Sequence, residues 1–93
     1  MQDFEWDQAK ARTNLAKHGV DFEVAKNVFL DPAAITEPDD GDPVEERWRT
    51  IGLASGKVLF VIFTERDGNV IRIISARKAN KREQKAYFGQ ASS

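Results

Sequence analysis

The sequence predicts a small α+β domain: an antiparallel sheet of three to four strands, two N-terminal helices and a short C-terminal helix. Alternating apolar and polar residues between positions 47 and 77, separated by short glycine-containing turns, are typical of antiparallel hairpins. Before these runs, capping residues bracket two stretches in the pattern of helix ends. The 93 residues have the length of one domain, so we expect residues 1–93 to form a single unit.

Two helices are predicted in the first half of the chain. Asp7 is a suitable N-cap for a helix that reaches about Lys17, and Gly19 supplies the left-handed residue that ends it. Asp21 is the next N-cap, and Pro32 stops the helix that it begins.

Strands and one further helix are predicted in the second half. An acidic, turn-rich stretch, residues 36–46, predicts a loop before them. The elements that follow are three strands at 47–54, 57–65 and 70–77, a helix at about 81–88, a helix end at Gly89 and a frayed tail at 90–93. The middle strand is apolar on both faces, so we expect it to be central and covered twice.

Strand parity assigns side chains to the two faces of the predicted sheet, because successive residues point to opposite sides. The turn at Ser55-Gly56 places Trp48 opposite Phe63 in the core. The face of Trp48 and Phe63 also receives Arg72 and Ile74, and the other face receives Arg47, Arg49 and Arg77.

The composition excludes several kinds of chemistry. Cysteine is absent, which excludes disulfides, thiolate-bound metals and thiol nucleophiles, and the single histidine, His18, excludes a two-histidine zinc motif. We therefore expect no metal and no cofactor. No apolar run approaches the roughly 18 residues of a membrane span, and no signal peptide opens the chain, so we expect a cytoplasmic protein without a membrane partner.

Charge is divided unevenly along the chain. Residues 1–46 carry four Lys/Arg against twelve Asp/Glu, a net charge of −8, and residues 47–93 carry ten against three, a net charge of +7. Such asymmetry favours a basic half that meets a polyanion or an acidic partner. The alternative is that the two halves neutralise each other within the fold.

The densest cluster of cations runs from the last strand into the last helix. Its members are Arg72, Arg77, Lys78, Lys81, Arg82 and Lys85, and Tyr87 follows them. Cations beside an aromatic ring suit phosphates and an unstacked base, which favours nucleic acid over a merely solvated helix surface.

Three titratable side chains have both a chemical and a structural interpretation. Glu83 is either a general base or the partner of Asn80 in a capping box. Glu65 is either a base or the cross-strand ion partner of Arg72. His18 either moves protons or complements a helix dipole. A base, cations and an acid are what metal-free RNA cleavage requires.

An ordered set of motifs covers residues 4–87. Its pieces are Phe4-Glu5-Trp6-Asp7, Lys10, Asn14, Lys17-His18-Gly19-Val20, Phe22, Ala25, Glu46-Arg47-Trp48, Ile51-Gly52, Thr64-Glu65-Arg66, Arg72 to Arg77, Ala79, Glu83 and Tyr87. This set resembles the BrnT family. The resemblance implies a ribonuclease toxin of a bacterial type II toxin–antitoxin system with a RelE-like fold. It also implies a BrnA-type antitoxin partner, which represses the shared operon, so operator DNA is contacted only through the complex.

The leading hypothesis is an endoribonuclease that cleaves RNA, inhibits translation and growth, and is neutralised by its antitoxin. The candidate catalytic residues are Glu65 or Glu83 as base, His18 or Tyr87 as proton source, and Arg66, Arg72 and Arg77 on the scissile phosphate. The candidate RNA-binding residues are Arg47, Arg49, Arg72, Lys78, Lys81, Arg82 and Lys85. The competing hypothesis is a non-catalytic module that binds nucleic acid and antitoxin as a co-repressor component.

Overall fold

A five-stranded mixed sheet with helices on both faces makes up the computed structural model, which describes residues 2–91. The elements in chain order are β1 (Asp3–Glu5), α1 (Gln8–His18), α2 (Phe22–Ala25), a 3₁₀ segment (Lys26–Leu30), β2 (Ile35–Asp39), β3 (Arg47–Ala54), β4 (Lys57–Arg66), β5 (Val70–Lys78) and α3 (Lys81–Ala91). The strand order is β1-β5-β4-β3-β2, in which β1 runs parallel to β5 and the other pairs are antiparallel. The α+β class is confirmed, whereas the predicted count of three to four antiparallel strands is wrong.

The two missed strands lie at the edges of the sheet. β1 has only three residues, too few for an alternation pattern. β2 contains Pro38 and two acidic residues, Glu37 and Asp39, and an acidic, turn-rich stretch follows it, so the sequence predicts a loop over residues 36–46. Proline is tolerated there because an edge strand leaves one row of backbone groups unpaired.

The caps that the sequence predicts are present. The Asp7 carboxylate accepts a hydrogen bond from the backbone N–H of Lys10 at 3.0 Å, and Gly19 has a φ of 71° at the end of α1. The Asp21 carboxylate likewise caps α2. The second helix is shorter than predicted, because its last residues, Lys26–Leu30, wind as a 3₁₀ segment before Asp31.

A β-bulge changes the faces of β5. Ile62 pairs with Ser75 and Phe63 pairs with Ile73, so Ile74 has no partner on β4. The parity assignment is therefore wrong from Ile74 back to Val70: Ile73 is 2% exposed beside Phe63, and Arg72 lies on the opposite face. The other hairpin behaves as predicted, with Trp48 opposite Phe63.

Each face of the sheet has its own core. The first core lies under α1 and α2 and includes Phe22, Val61 and Ile73. The second core lies under α3 and includes Val58 and Tyr87. The expectation that the central strand is covered on both faces is confirmed, and α3 leaves the β2 side of the second face open to solvent.

The last helix is longer than predicted. α3 continues past Gly89 to Ala91, and Gly89 has no positive φ. Residues 90 and 91 of the predicted frayed tail fall within the bounds of this helix, and positions 92 and 93 lie outside the described residues. Within residues 2–91, no helix is long and apolar enough to cross a membrane.

Asn14 ties α1 to the sheet through its side chain. Its amide donates to the carbonyls of Val20 at 3.0 Å and Ala76 at 2.8 Å, and its oxygen accepts from the Ala76 N–H at 3.1 Å. Asn14 is 7% exposed, so Asn14→Ala leaves three backbone groups without partners in a dry site. We expect a loss of about 2 kcal/mol or more in unfolding free energy, measured by urea denaturation. Asn14→Asp keeps the acceptor for the Ala76 N–H but turns an oxygen towards two carbonyl oxygens, so it should not restore the lost stability. An unchanged midpoint for Asn14→Ala would contradict the assignment.

Candidate functional site

An open hollow of about 500 Å³ lies on the second face, between α3 and strands β2 and β3. Its lining residues are Glu37, Arg49, Ile51, Phe60, Asn80, Arg82, Glu83 and Ala86. Arg77 lies on the same face as Phe60, because the two residues pair across β4 and β5. We call this the arginine hollow.

Arg77 is held from two sides. Its guanidinium donates to both oxygens of Glu83, at 2.8 and 2.9 Å, and its Cζ lies 4.1 Å from the centre of the Phe60 ring. A planar guanidinium with two parallel hydrogen bonds and a ring beneath it has little rotational freedom. The position of Arg77 is therefore fixed before any ligand arrives.

Glu83 has two structural duties. It forms the predicted capping box with Asn80, whose side chain accepts from the Glu83 N–H at 2.8 Å while Glu83 accepts from the Asn80 N–H at 2.9 Å. The hydrogen bonds from Arg77 lower the pKa of the Glu83 carboxyl against the opposing effect of burial, and the Asn80 N–H and the charge of Arg49 lower it further. Glu83 is thus ionised near neutral pH, and Arg77 and Asn80 occupy its oxygens.

Arg49 and Arg82 complete the positive charge of the hollow. Arg49 reaches Glu37 at 3.4 Å and Asp39 at 3.5 Å, both on β2. Arg82 is exposed on α3 and makes no ion pair with any residue in the described part of the chain. Arg49 and Arg82 line the hollow, and Arg77 contacts two of its lining residues, Glu83 and Phe60. Guanidiniums so placed suit a phosphodiester, whose charge lies on its oxygens.

Two further arginines of this face are also paired with carboxylates. Arg47 contacts Asp42 at 3.4 Å and Glu45 at 3.1 Å. Arg72 contacts Glu5 on β1 at 2.6 Å. The alternative that the acidic and basic halves neutralise each other is therefore correct for these residues. The cross-strand pair of Arg72 with Glu65 is wrong, because the bulge moves Arg72 to the other face.

Glu65 and Arg66 lie far from the arginine hollow. Arg66 lies six positions along β4 from Phe60, a span of roughly 20 Å at 3.3 Å per residue. They line a different hollow, together with Glu45, Glu46, Trp48 and Thr64. Three glutamates surround the one arginine there, so this second hollow repels a phosphate.

Tyr87 is buried rather than presented to a ligand. It is 6% exposed, and its hydroxyl donates to the Asp31 carboxylate at 2.6 Å. That hydrogen bond, together with burial, raises the pKa of Tyr87, which makes it a weaker acid. The same carboxylate accepts from the Leu53 and Ala33 N–H groups, so the pair fastens α3 to the sheet.

Tyr87→Phe separates a structural from a catalytic role for this hydroxyl. We expect a loss of about 1–2 kcal/mol in unfolding free energy, because a hydrogen bond to a half-buried carboxylate disappears. We expect the RNA cleavage rate of the folded protein to stay unchanged. A cleavage rate that falls tenfold or more with an unchanged melting temperature would indicate that Tyr87 acts as a proton donor.

His18 lies on the far side of the sheet. It is the last residue of α1, which packs on the first face, whereas α3 and the arginine hollow occupy the second. Burial of Asn14 against Ala76 fixes α1 in that place. The sheet thus separates His18 from Arg77 and Glu83.

The remaining predicted cations are on or beside α3. Lys78, Lys81 and Lys85 are exposed and make no ion pair within the region that the structure describes. Sequence reasoning missed two participants, Phe60 as the floor under Arg77 and Asp31 as the partner of Tyr87. Phe60 pairs with Arg77 in a part of the hairpin without a bulge, so the predicted strand register was enough to indicate their contact. Nothing in the sequence indicates the contact between Asp31 and Tyr87.

The family model for the ribonuclease toxin BrnT of type II toxin–antitoxin systems matches residues 6–83, which include Arg49, Arg77 and Glu83. The chain belongs to the BrnT family. A solved relative is the Brucella abortus ribonuclease toxin BrnT, whose 1.1 Å crystal structure matches with a TM-score of 0.71 and 32% sequence identity, over 87% of this chain and 100% of that chain. No curated protein matches significantly. The family resemblance inferred from the sequence is therefore confirmed.

Proposed function

We propose that this BrnT-family protein is an active endoribonuclease and that the arginine hollow is its catalytic centre. Arg77 carries the proposal: it is pre-positioned by Glu83 and Phe60, beside Arg49 and Arg82. The Phe60 ring remains beneath the guanidinium when a ligand replaces Glu83, and a group held in place stabilises developing phosphorane charge at a low reorganisation cost. The hollow near Glu65 and Arg66 is the weaker candidate because glutamates surround it.

In the proposed mechanism, a phosphate of RNA replaces the Glu83 carboxylate on Arg77. The freed carboxylate then lies beside the bound phosphate and takes the proton of the neighbouring 2′-hydroxyl. The 2′-oxygen attacks phosphorus, the bond to the 5′-oxygen breaks, and a 2′,3′-cyclic phosphate forms. The leaving oxygen takes its proton from water, since the hollow is open and neither His18 nor Tyr87 faces it.

The partners follow from the toxin–antitoxin class. An antitoxin is implied by the family, and we propose that it is of the BrnA type and that operator DNA is bound only through the complex. We also propose a cytoplasmic location, where RNA is the substrate, and a RelE-like fold, which the helices on both faces of the sheet support.

Purified protein incubated with RNA in excess EDTA tests the proposal. We expect cleavage that does not need a divalent metal, with 2′,3′-cyclic phosphate ends. Binding without cleavage would favour the co-repressor alternative, whose specific support is that Arg77 and Asn80 occupy both oxygens of Glu83.

RNA affinity should depend on salt. If Arg49, Arg77 and Arg82 each neutralise one phosphate of a single strand, log affinity should fall against log salt with a slope of about −2. Arg82→Ala should make the slope about 0.7 shallower. Fluorescence anisotropy with a 2′-O-methyl oligonucleotide, which resists cleavage, measures both. A slope near zero would contradict electrostatic binding.

A further inference from the structure

A second surface lies on the opposite flank of α3 from the arginine hollow. It surrounds a shallow hollow of about 320 Å³ at the turn between β3 and β4. Its lining residues are Leu53, Gly56, Lys57, Val58, Lys78, Gln84 and Phe88. We call it the hairpin-end surface.

Large apolar side chains of the hairpin-end surface face solvent. Leu53 is 42% exposed and Phe88 is 54% exposed. The patch continues the second core, because the Phe88 ring packs edge-on against buried Tyr87, with centroids 5.1 Å apart, and Val58 belongs to that core. An exposed extension of a core, rimmed by polar groups, is typical of a protein-binding surface.

The charges of the hairpin-end surface are all positive. Lys57 and Lys78 line it and form no ion pair among residues 2–91, and no carboxylate is among its lining residues. Lys81 and Lys85 occupy the same flank of α3 as Phe88 by helical spacing. The sheet arginines differ, since carboxylates of this chain already pair with Arg47, Arg49, Arg72 and Arg77.

We propose that the hairpin-end surface docks an acidic amphipathic helix of the antitoxin. The proposal rests on the proposed function, which supplies the antitoxin. Apolar residues three or four positions apart would cover Leu53 and Phe88, and flanking carboxylates would pair with the free lysines. A protein fits better than RNA, because an aliphatic side chain such as Leu53 offers a base neither stacking nor a hydrogen bond.

Glutamate substitutions on the hairpin-end surface test the docking. The variants are Leu53→Glu, Lys57→Glu and Phe88→Glu, and the control is Leu30→Glu, at an apolar residue that is 80% exposed and outside the hairpin-end surface. We expect each of the three to weaken binding of the antitoxin encoded beside the toxin gene by at least tenfold in calorimetry. The control should bind normally, and all four should cleave RNA at the wild-type rate.

The possible outcomes are distinct. Lys57→Glu changes one exposed side chain at a turn, so it stays informative if Phe88→Glu unfolds. Wild-type affinity for the antitoxin in Lys57→Glu and Leu53→Glu would overturn the docking proposal alone. Lost RNA affinity with intact antitoxin binding would assign the surface to RNA and would also overturn the docking proposal.

A dimer of this chain that the variants dissociate, with antitoxin binding unchanged, would overturn it too, because the occupant would then be a second copy. If the wild-type protein does not bind the antitoxin, the proposed partner fails and the docking proposal fails with it.

Discussion

Arg77→Ala is expected to slow RNA cleavage by about a hundredfold or more, equivalent to about 2.7 kcal/mol of transition-state stabilisation. Once a phosphate has replaced Glu83, the guanidinium remains over the Phe60 ring, and its hydrogen bonds to the phosphate strengthen as charge develops on the phosphorane. RNA affinity should therefore fall far less than the rate. Single-turnover cleavage and anisotropy on one preparation measure the two effects.

Arg77→Lys is the matched control. It keeps the charge but loses the planar fork, so we expect only part of the rate to return. Melting temperatures of both variants show how much of any loss of cleavage rate is due to destabilisation of the fold by the broken contact with Glu83. Wild-type rates in folded Arg77→Ala would remove Arg77 from the catalytic centre, and Arg49 and Arg82 would become the remaining candidates.

Glu83→Gln is expected to lower the cleavage rate by about 10³-fold, within the usual range for loss of a general base. Glutamine can still complete the capping box with Asn80, so α3 should remain in place. RNA affinity should rise, because in this variant no ion pair between Arg77 and a carboxylate has to break before a phosphate binds. Rate and affinity then change in opposite directions, which a merely structural role for Glu83 does not produce.

The pH profile gives an independent check on Glu83. Its pKa is lowered chiefly by the hydrogen bonds from Arg77, so its contribution to folding stability is present above its unfolded pKa and is lost as pH falls through the folded value. In Glu83→Gln, the part of the fall in unfolding free energy at acid pH that comes from protonation of Glu83 should therefore disappear. An unchanged cleavage rate in Glu83→Gln would contradict its role as base.

Local rules in the sequence were sufficient for several elements. Asp7, Gly19 and Asp21 cap helices through contacts within a few residues, and the Asn80–Glu83 capping box spans a single turn. The hairpin of β3 and β4 follows from its two-residue turn, where Ser55 and Gly56 both have positive φ.

Elements that depend on distant contacts were not predictable. β1 forms only because it pairs with β5, some 67 positions along the chain, and the bulge at Ile74 reverses the faces that strict alternation assigns. That reversal, rather than composition, separates Arg72 from Glu65. The split of the candidate site into the arginine hollow, the glutamate-lined hollow and buried Tyr87 follows from tertiary packing alone.

The claim that RNA binds in the arginine hollow is tested most directly by NMR titration of the labelled protein with a 2′-O-methyl oligonucleotide. We expect the largest shifts at the backbone amides and guanidiniums of Arg49, Arg77 and Arg82, with loss of the hydrogen bond between Arg77 and Glu83. Shifts concentrated at Glu65 and Arg66, with Arg77 still paired to Glu83, would contradict the account.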